Sequence, residues 1–396
     1  MTGSAPRRVV LVTHDASRTG APMVALLVAR CLVADGDRVR VVSRRRGPLL
    51  ADFEAVAPTR LELLLGVRRR LWLVRSLRLV AWLVDVAAAT ATLARHRPDL
   101  VYLNTTASAI YLHPARWLRI PALLHVHESD ANTDLFLDQA RVMDLSAVRL
   151  VACSVSVQHD LMARTGRGDH EVLLLPSVPD GDRVRALSSG RPGTTADMEV
   201  PDATSGRAAG PVVGATGSVG LRKGTDLWLE VAATLHAAEE TRSTRFVWVG
   251  ELGDPDLAVP RSGVAFTGPR SNPYPEMARF DVATLPSRDD PFPLVVLESM
   301  LLGKPVVAFD VGSVREQVGD GGIVVPAGDV PAFAAAVRRL VLDADLREDL
   351  GATARARAEQ HFSAASFAGR LRSVLDHAAG SSAQAPTTAA RQARYR

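Results

Sequence analysis

The stretch that decides the fold occupies residues 287–305 and reads SRDDPFPLVVLESMLLGKP. Its residue types predict a loop, then a short helix that starts at Pro293, a position where the missing N–H costs nothing. Gly303 marks the end of the helix, and the apolar run VVAF at 306–309 predicts a buried strand after it. A loop, a helix and a buried strand in this order are typical of a parallel α/β sheet.

Two carboxylates accompany this helix. Asp290 stands just before it, and Glu298 lies eight residues further on, inside it. The first N–H groups and the dipole of a helix favour an anion at its N-terminus. Carboxylates beside an anion site suit a ligand that is part phosphate and part polyol, such as a nucleotide sugar. The competing interpretation is an ordinary βαβ connection with solvated acids.

The bulk properties indicate a globular protein with an uneven charge. The 396 residues predict two domains or three, and 47% of them are hydrophobic. The formal net charge is +4, yet residues 1–100 contain 17 Arg and 8 acidic residues, a difference of +9, so the remainder nets −5. A basic first quarter favours acidic partners such as membranes or anionic substrates. The alternative is that these arginines lie on solvated faces, and no nucleic-acid partner is expected.

Compartment and metal content follow from what the sequence lacks. Cys31 and Cys153 both lie in apolar runs, which predicts reduced core residues without a disulfide or a metal cluster. The polar N-terminus and the absence of a window of about 18 uncharged apolar residues predict neither a signal peptide nor a membrane span. Asp254 and Asp256 form a D-x-D in a Pro-rich loop with no third ligand, so we expect a surface loop and no metal. A cytoplasmic enzyme fits best.

Lysine is nearly absent from this chain. Only Lys223 and Lys304 occur among the 47 basic residues, so arginine serves wherever a generic positive charge suffices. A lysine retained against this bias is expected to do something that arginine cannot, and a compact ammonium suits a phosphate.

The first half of the chain reads as alternating strands and helices. The run VVLV at 9–12 predicts a buried parallel strand, and a loop carrying Gly20 precedes a helix that starts at Pro22. A later strand ends at His125 and His127, and the carboxyl ends of parallel strands face the ligand crevice. A histidine there could hold or move a proton, or it could be structural.

A basic helix is predicted over residues 67–93, with Arg68, Arg69, Arg70, Arg75 and Arg78 among Leu, Val and Trp. Such a helix could make peripheral contact with an anionic membrane, at its inner face in a cytoplasmic protein. The alternative is a packed surface helix, because the arginines do not segregate from the apolar residues around the helix.

The composition changes at residues 181–210, which are rich in Gly, Ser, Thr, Ala and Pro and predict a flexible linker. A second βαβ series begins at Val212. Glycines at 214, 217 and 220 precede Lys223 at a loop that enters a helix. The spacing is neither the dinucleotide fingerprint nor a P-loop, yet a lysine that faces a phosphate makes chemical sense here.

Two doubly wound halves joined by a linker, the Lys223–Gly224 loop, the strand ending at Gly250 and the Asp290…Glu298 helix together resemble the GT-B glycosyltransferases. More narrowly, the sequence resembles glycosyltransferase family 4, the large retaining group. The resemblance covers about residues 8–378 without the linker. It implies two Rossmann-like α/β domains that face each other across a cleft, and transfer of a sugar from a nucleoside-diphosphate sugar to an acceptor hydroxyl.

The same resemblance assigns roles. Lys223 would hold the donor diphosphate, with the backbone N–H groups of Leu294 and Val295 at the helix start after Pro293. Glu298 would bind the donor ribose, and Asp290 would stand where a Glu contacts the transferred sugar. His127 would lie near the reacting sugar. The remaining donor-binding positions are Gly20, which matches the loop that closes over the donor, Ser218, Arg222 and Gly250.

Three departures from the family pattern stand out. Asp290 replaces a Glu and is one methylene shorter, and Asp289 beside it could compete for the role. Ser218 occupies the position, five before the Lys, where the family often carries a second basic residue, and Arg222 could compensate. His125 could replace His127 as the active-site histidine.

The expected domains are residues 1–180 on the acceptor side, a linker at 181–210, residues 211–364 on the donor side, a C-terminal helix at 365–380 that packs back on the first domain, and a disordered tail at 381–396.

A UDP- or GDP-sugar is expected as co-substrate, with no bound cofactor and no metal. The acceptor would be a small molecule, a glycan or a lipid-linked compound. The rival functions are a catalytically inactive sugar-nucleotide-binding protein of the same fold and, without the G-x-G-x-x-G motif it needs, a nicotinamide oxidoreductase.

Overall fold

The computed structural model describes residues 6–62, 77–190, 210–259 and 261–380. They form two compact units, each built around one parallel sheet. The first unit comprises the described residues up to Pro176 together with those from Ala365 onward, and the second runs from Ser177 to Ala364.

The sheet of the first unit is entirely parallel, and its central strands read as apolar runs because both faces are buried there. At its centre Leu11 lies opposite Val41 on one side and Tyr102 on the other, and all three are buried. The strands are β1 Arg8–Thr13, β2 Arg38–Ser43, β3 Thr59–Leu61, β4 Leu100–Leu103, β5 Ala122–Val126, β6 Arg149–Ala152 and β7 Val172–Leu174, in the order β3-β2-β1-β4-β5-β6-β7.

Helices and one 3₁₀ segment connect these strands. The 3₁₀ segment Thr106–Tyr111 follows β4 directly and is almost wholly buried. The helices are α1 Gly20–Ala34, α2 Leu50–Val56, α3 Arg78–His96, α4 Leu112–Trp117, α5 Asp130–Ala140 and α6 Val155–Thr165.

The second unit repeats the plan with six parallel strands. Trp228 is its central core residue: the indole contacts the rings of Phe246 and Trp248 edge to face, with centroids 5.3 and 5.2 Å away, and donates to Thr284 Oγ1 at 3.1 Å. The strands are β8 Val212–Thr216, β9 Arg245–Val249, β10 Val264–Phe266, β11 Val282–Leu285, β12 Val306–Phe309 and β13 Gly322–Val325, in the order β10-β9-β8-β11-β12-β13.

The helices of this unit include the predicted one after residue 293. They are α7 Gly181–Ser188, α8 Thr225–Ala237, α9 Tyr274–Met277, α10 Leu294–Leu301, α11 Val314–Val318, α12 Val330–Leu342 and α13 Ala344–His361.

Strand order reverses between β1 and β4 in the first unit and between β8 and β11 in the second. In doubly wound sheets the ligand crevice lies outside the carboxyl ends of the strands at this point. The fold therefore singles out the loops after β8 and β11 in the second unit.

The structure corrects the start of the predicted linker. Residues 181–188 form helix α7, which Asp180 caps by accepting from the N–H of Arg183 at 3.1 Å, and Val184 is fully buried. Local composition predicted a coil, but an N-cap and one buried side chain packed in the second unit stabilise the helix. Residues 191–209 lie outside the described residues, as does the predicted tail at 381–396.

Two helix starts also differ from the prediction. Helix α1 starts at Gly20 rather than at Pro22, with Thr19 as its N-cap, so the glycine belongs to the first helical turn. Of the predicted basic helix, residues 67–76, with Arg68, Arg69, Arg70 and Arg75, lie outside the described residues. The described part, α3, starts at Arg78 and ends beyond the predicted limit, at His96.

The last helix, α14 Ala364–Gly380, groups with the first unit. Its buried face carries Phe367 and Leu371, and Arg372 donates to the carboxylate of Asp35 at the end of α1 at 2.8 Å. The chain thus returns to its first unit after completing the second.

Candidate functional site

Lys223 and Asp290 form an ion pair in the second unit. Lys223 Nζ lies 2.5 Å from Asp290 Oδ2, and the two side chains are 17% and 11% exposed. The residues are 67 positions apart in the chain and follow the two switch-point strands, β8 and β11. The carboxyl edge of the sheet therefore brings together an ammonium and a carboxylate that the sequence predicted as separate site residues.

The loop that presents Lys223 is held close to the loop that presents Asp290. Lys223 ends a 3₁₀ turn, and Gly224 follows with φ 71°, a conformation that favours glycine. A Cβ on Gly224 would lie 1.8 Å from the carbonyl oxygen of Pro286, so only glycine permits this approach. On the other side of the acidic loop, a Cβ on Gly312 would lie 2.1 Å from the carbonyl oxygen of Asp290.

Arginines tie the same two loops together. Arg222 Nη1 donates to the carbonyl oxygen of Asp289 at 2.8 Å. Arg288 forms a two-bond pair with the carboxylate of Asp226 at 2.7 and 2.6 Å. Arg222 is thus committed, at least through one nitrogen, to holding the acidic loop. Asp290, which faces Lys223, is buried, whereas Asp289 contributes its carbonyl to Arg222.

Gly250 and the loop after β8 lie beside Lys223. A Cβ on Gly250 would meet the carbonyl oxygen of Gly217 at 2.1 Å, and a Cβ on Gly217 would lie 3.5 Å from Lys223 Cε. Both glycines have positive φ, 148° and 139°. Ser218 is exposed next to this turn, within 2.5 Å of where a Cβ on Gly253 would stand. The predicted positions 218, 223 and 250 therefore share one edge.

Helix α10 starts one residue later than predicted. Pro293 is its N-cap, with extended backbone at ψ 107°, and Leu294 is the first helical residue. Gln317 Nε2 donates to the Pro293 carbonyl at 3.3 Å, which anchors the helix start to α11. The N–H groups of Leu294 and Val295 belong to the first turn, which has no acceptor inside the helix, so this terminus can receive an anion.

Glu298 lies inside α10 and is held by a residue that the sequence did not indicate. The hydroxyl of Tyr274, on α9, donates to Glu298 Oε1 at 3.0 Å. Burial raises the pKa of Glu298 to about 7, although the Tyr274 hydrogen bond acts in the opposite direction. Tyr274 stands 24 residues from Glu298, and no local pattern connects them, so only the fold could find this contact.

In the first unit the structure separates the roles of the two candidate histidines. His125 is fully buried in β5, where Nδ1 lies 2.8 Å from the Tyr102 hydroxyl and Nε2 lies 3.2 Å from the Leu175 carbonyl. A carbonyl only accepts, so Nε2 carries the proton and Nδ1 accepts from Tyr102. Burial lowers the pKa of His125 to about 3. His125 is thus a satisfied neutral core residue.

His127 occupies the position directly after β5, at the carboxyl edge of the first sheet. Its ring lies 4.1 Å from that of His125, centroid to centroid. Burial is the main cause that holds the pKa of His127 well below its usual value, and the neighbouring His125 and His14 act in the same direction, so the imidazole is neutral at pH 7. Gly20 is exposed at the start of α1, and it belongs to the first unit, whereas Lys223 belongs to the second.

The other features singled out from the sequence lie away from the Lys223–Asp290 pair. Lys304 follows the C-terminus of α10, where burial lowers its pKa and Asp281 opposes that effect. In the described part of the chain, no group of three or more His, Cys, Asp or Glu side chains is placed to hold a metal ion. Among the same residues, no helix combines the length and apolar character that a membrane crossing requires.

Family comparisons match both units. Residues 18–176 match the family model described as Glycosyltransferase Family 4, and residues 210–343 match that described as Glycosyl transferases group 1. The second match contains Lys223, Asp290 and Glu298, and the first contains Gly20 and His127.

Relatives of known activity align with parts of the chain. A 2-deoxystreptamine N-acetyl-D-glucosaminyltransferase of Streptomyces fradiae is 29% identical over 293 residues, which cover 67% of this chain and 68% of that enzyme. An alpha-D-kanosaminyltransferase of Streptomyces kanamyceticus is 36% identical over 155 residues, or 36% of this chain. The latter alignment spans only 40% of the relative's length.

Solved structures match most of the length of the chain. Anabaena HepE in complex with UDP-glucose superposes with a TM-score of 0.72 at 21% identity, over 93% of this chain and 99% of that one. A sucrose-phosphate synthase of Thermosynechococcus elongatus also gives 0.72, at 18% identity, over 95% of this chain and 100% of that one. At these identities the likeness concerns the fold.

Proposed function

Because this chain is a GT-B glycosyltransferase that resembles family 4, we propose that it transfers a sugar from a nucleoside-diphosphate sugar to an acceptor hydroxyl with retention of anomeric configuration. The observation that carries the proposal is the Lys223–Asp290 pair beside the start of α10, at the switch point of the second sheet. Lys223 and the N–H groups of Leu294 and Val295 supply positive charge for a diphosphate.

The reaction follows from that charge. The bond between the anomeric carbon and the diphosphate oxygen breaks, and its electron pair leaves with the nucleoside diphosphate. The acceptor oxygen attacks the same face of the sugar, and its proton passes to the departing diphosphate oxygen. Lys223 and the helix start stabilise the negative charge that develops there, which is electrostatic preorganisation. The positive charge of these groups makes a metal-independent reaction our expectation.

Asp290 orients the sugar, in our proposal, while it also positions Lys223. Without donor the ammonium pairs with Asp290, and with donor it shares its three N–H groups between this carboxylate and the diphosphate. The side chain of Asp290 is one methylene shorter than the Glu of the family pattern. Because this carboxylate is buried and ion-paired, it is held in one orientation, and we propose that this fixed position compensates for the shorter reach.

Glu298 accepts from the donor ribose hydroxyls in this proposal. An ionised carboxylate is the stronger acceptor, and the pKa of Glu298 is about 7. Donor binding should therefore strengthen as the pH rises through 7. His127, neutral at pH 7, would hydrogen-bond the sugar rather than donate a proton as an acid.

The donor and the acceptor class rest on similarity. HepE was solved with UDP-glucose, and two relatives are named as glycosyltransferases for 2-deoxystreptamine, an aminocyclitol. We therefore propose a UDP-sugar donor, with a GDP-sugar as the alternative, and a polyhydroxylated small molecule of the cyclitol type as the first acceptor to test.

The experiment measures binding and transfer separately. Thermal shift with UDP-, GDP- and ADP-sugars identifies the donor, because a ligand that binds only the native state raises the melting temperature by mass action. Incubation of that donor with 2-deoxystreptamine, myo-inositol and inositol phosphate, followed by NMR of the anomeric proton, tests transfer and retention. Donor binding without transfer or slow donor hydrolysis would favour the catalytically inactive alternative, and an inverted product would contradict retention.

A further inference from the structure

A cavity opens in the first unit, at the end of the sheet opposite to His127. Its volume is about 910 Å³, and its lining includes Ala122, Arg149 and Leu173 at the amino ends of β5, β6 and β7. His127 follows the carboxyl end of β5. The five residues of this strand, about 16 Å in length, therefore separate His127 from the cavity. None of the lining residues belongs to the second unit.

The lining of this cavity is strongly basic. It contains five arginines and two carboxylates, a formal charge of 5 − 2 = +3 with the histidines neutral. The whole chain nets only +4. The arginines are Arg116, Arg119, Arg141, Arg149 and Arg167, and the acids are Asp144 and Glu171.

The charges of these arginines are mostly not neutralised by the carboxylates. Arg167 donates to the carbonyl oxygens of Leu145, Ser146 and Val148 at 2.6–2.8 Å, which orients its guanidinium without cancelling its charge. Arg116 lies 3.5 Å from the Asp144 carboxylate, and both side chains are more than half exposed, where such a pair contributes little.

Among the arginines of the cavity lining, Arg149 gives the strongest indication of an anionic ligand. It starts β6 and is partly buried, and burial lowers the pKa of its guanidinium. In the described part of the chain, no carboxylate lies within ion-pair distance of it. A charged group in such a place costs free energy unless a partner of opposite sign is present. An anion in the cavity would supply that partner.

Two further arginines of the cavity lining have a left-handed backbone conformation. Arg119 and Arg141 have φ of 54° and 55°, the left-handed region that glycine normally occupies after a helix. The Arg141 guanidinium lies 5.4 Å from the centre of the Trp82 ring, which keeps it in place. Trp117 and Met143, 59% and 87% exposed, add apolar surface at the same cavity.

We propose that this cavity binds a phosphate-bearing anion, with Arg149 as its principal ligand. Guanidinium groups match phosphate oxygens through paired N–H donors, and the volume lies within the usual range for small-ligand sites. The anion could be a free phosphorylated metabolite or the headgroup of an anionic lipid. The chemistry is the same in both cases, and the site is independent of the transfer reaction proposed above.

The test compares Arg149→Met with Arg38→Met in the full chain. Arg149 and Arg38 are the first residues of β6 and β2 in the same sheet, four strands apart, or about 19 Å. Calorimetric titration with inorganic pyrophosphate at low salt should show binding that Arg149→Met weakens at least tenfold and Arg38→Met changes less than twofold. Lys223→Ala, which disables the proposed donor site, should keep the Arg149-dependent binding.

Two further measurements keep the proposal open to refutation. Arg149→Met should raise the melting temperature of the ligand-free protein, because it removes an unpaired charge, so lost binding would not reflect lost folding. Arg149→Lys should retain part of the affinity.

Co-sedimentation with phosphatidylglycerol vesicles, compared with phosphatidylcholine vesicles, tests whether the anion is a lipid headgroup. Arg149-dependent binding to vesicles alone assigns the lipid headgroup, and Arg149-dependent binding to pyrophosphate assigns the free anion. Equal behaviour of Arg149→Met and wild type toward both probes would overturn the proposal.

Discussion

The carboxyl edges of the two sheets carry opposite kinds of buried groups. In the first unit, burial keeps His125 and His127 neutral, with the pKa of His125 lowered to about 3. In the second unit, burial raises the pKa of Glu298 to about 7, while Lys223 and Asp290 stay paired at 2.5 Å. The carboxyl edge of the first sheet thus presents neutral imidazole rings, whereas that of the second sheet presents an ammonium and a carboxylate.

The doubly wound fold therefore supplies a position for a site but does not fix the chemistry of that site. Both edges lie at the ends of buried apolar strands around a switch point. What differs is how burial and pairing act on the side chains at each edge. Lys223 forms an ion pair with Asp290, whereas burial lowers the pKa of both histidines.

Loss of the Lys223 ammonium should have the largest effect. Lys223→Ala removes one donor to the developing diphosphate charge, so kcat for sugar transfer should fall about 10²–10³-fold, or about 2.7–4 kcal/mol. Lys304→Ala is the matched control, because it removes the only other lysine of the chain, and it should change kcat less than twofold. Equal losses in both variants would refute the assignment of Lys223.

Replacement of Glu298 should separate stability from binding. A carboxyl whose pKa is raised in the folded state binds its proton more tightly when folded, so stability falls as the pH rises from about 4.5 to 7. Glu298→Gln should therefore be more stable than wild type at pH 8 by up to about 3 kcal/mol. Urea unfolding at pH 5 and pH 8 measures this difference.

The same variant should bind the donor less well, with a KM that no longer falls as the pH rises through 7. A Glu298→Gln protein with the wild-type pH profile of donor KM would remove Glu298 from the ribose site. Tyr274→Phe gives a second test. This variant keeps Glu298 but loses the hydrogen bond to it, so the apparent pKa in its pH profile of donor KM should lie above that of the wild type.

The first unit should respond to pH in the opposite sense. A histidine whose pKa is lowered in the folded state stays neutral while the unfolded chain takes up a proton, so stability is complete above pH 6.5 and falls as the pH drops. Between pH 6.5 and 5 the loss should be about 2 kcal/mol for His125. Hydrogen exchange of the β5 amides, corrected for intrinsic rates, should report it, and the slope should flatten in His125→Gln.

Lengthening Asp290 should have the smallest effect. Asp290→Glu restores the residue type of the family pattern but adds a methylene at a buried position. Gly312 lies close to the Asp290 carbonyl there, and Arg222 holds the carbonyl of the neighbouring Asp289. Such overpacking costs about 1–3 kcal/mol of stability, and we expect kcat to change less than tenfold. Asp290→Asn, which keeps the size and removes the charge, should lower kcat more. The reverse order would show that length, and not charge, limits this position.

Much of the second unit could be read from local sequence. The buried strands, the glycine turn, the loop with Lys223 and the helix with Glu298 all appear where their residue types predict them, because each depends on neighbours within a few positions. Helix α1 starts two residues before its predicted position, α10 starts one residue after it, and residues 181–188 form α7 where the composition predicts a linker. Helix ends depend on caps such as Asp180, which local composition does not single out.

The sequence by itself determined which groups were available: two lysines, a helix that starts after Pro293, Asp290 before it and Glu298 within it. The tertiary structure decided how they act. It placed Lys223 against Asp290 across 67 positions, gave Glu298 its Tyr274 partner, and distinguished the fully buried His125 from His127 after the strand. The physical reason is that burial and charge pairing depend on contacts between distant segments, and these set the pKa and orientation of a side chain, whereas its chemical type is present in the chain from the start.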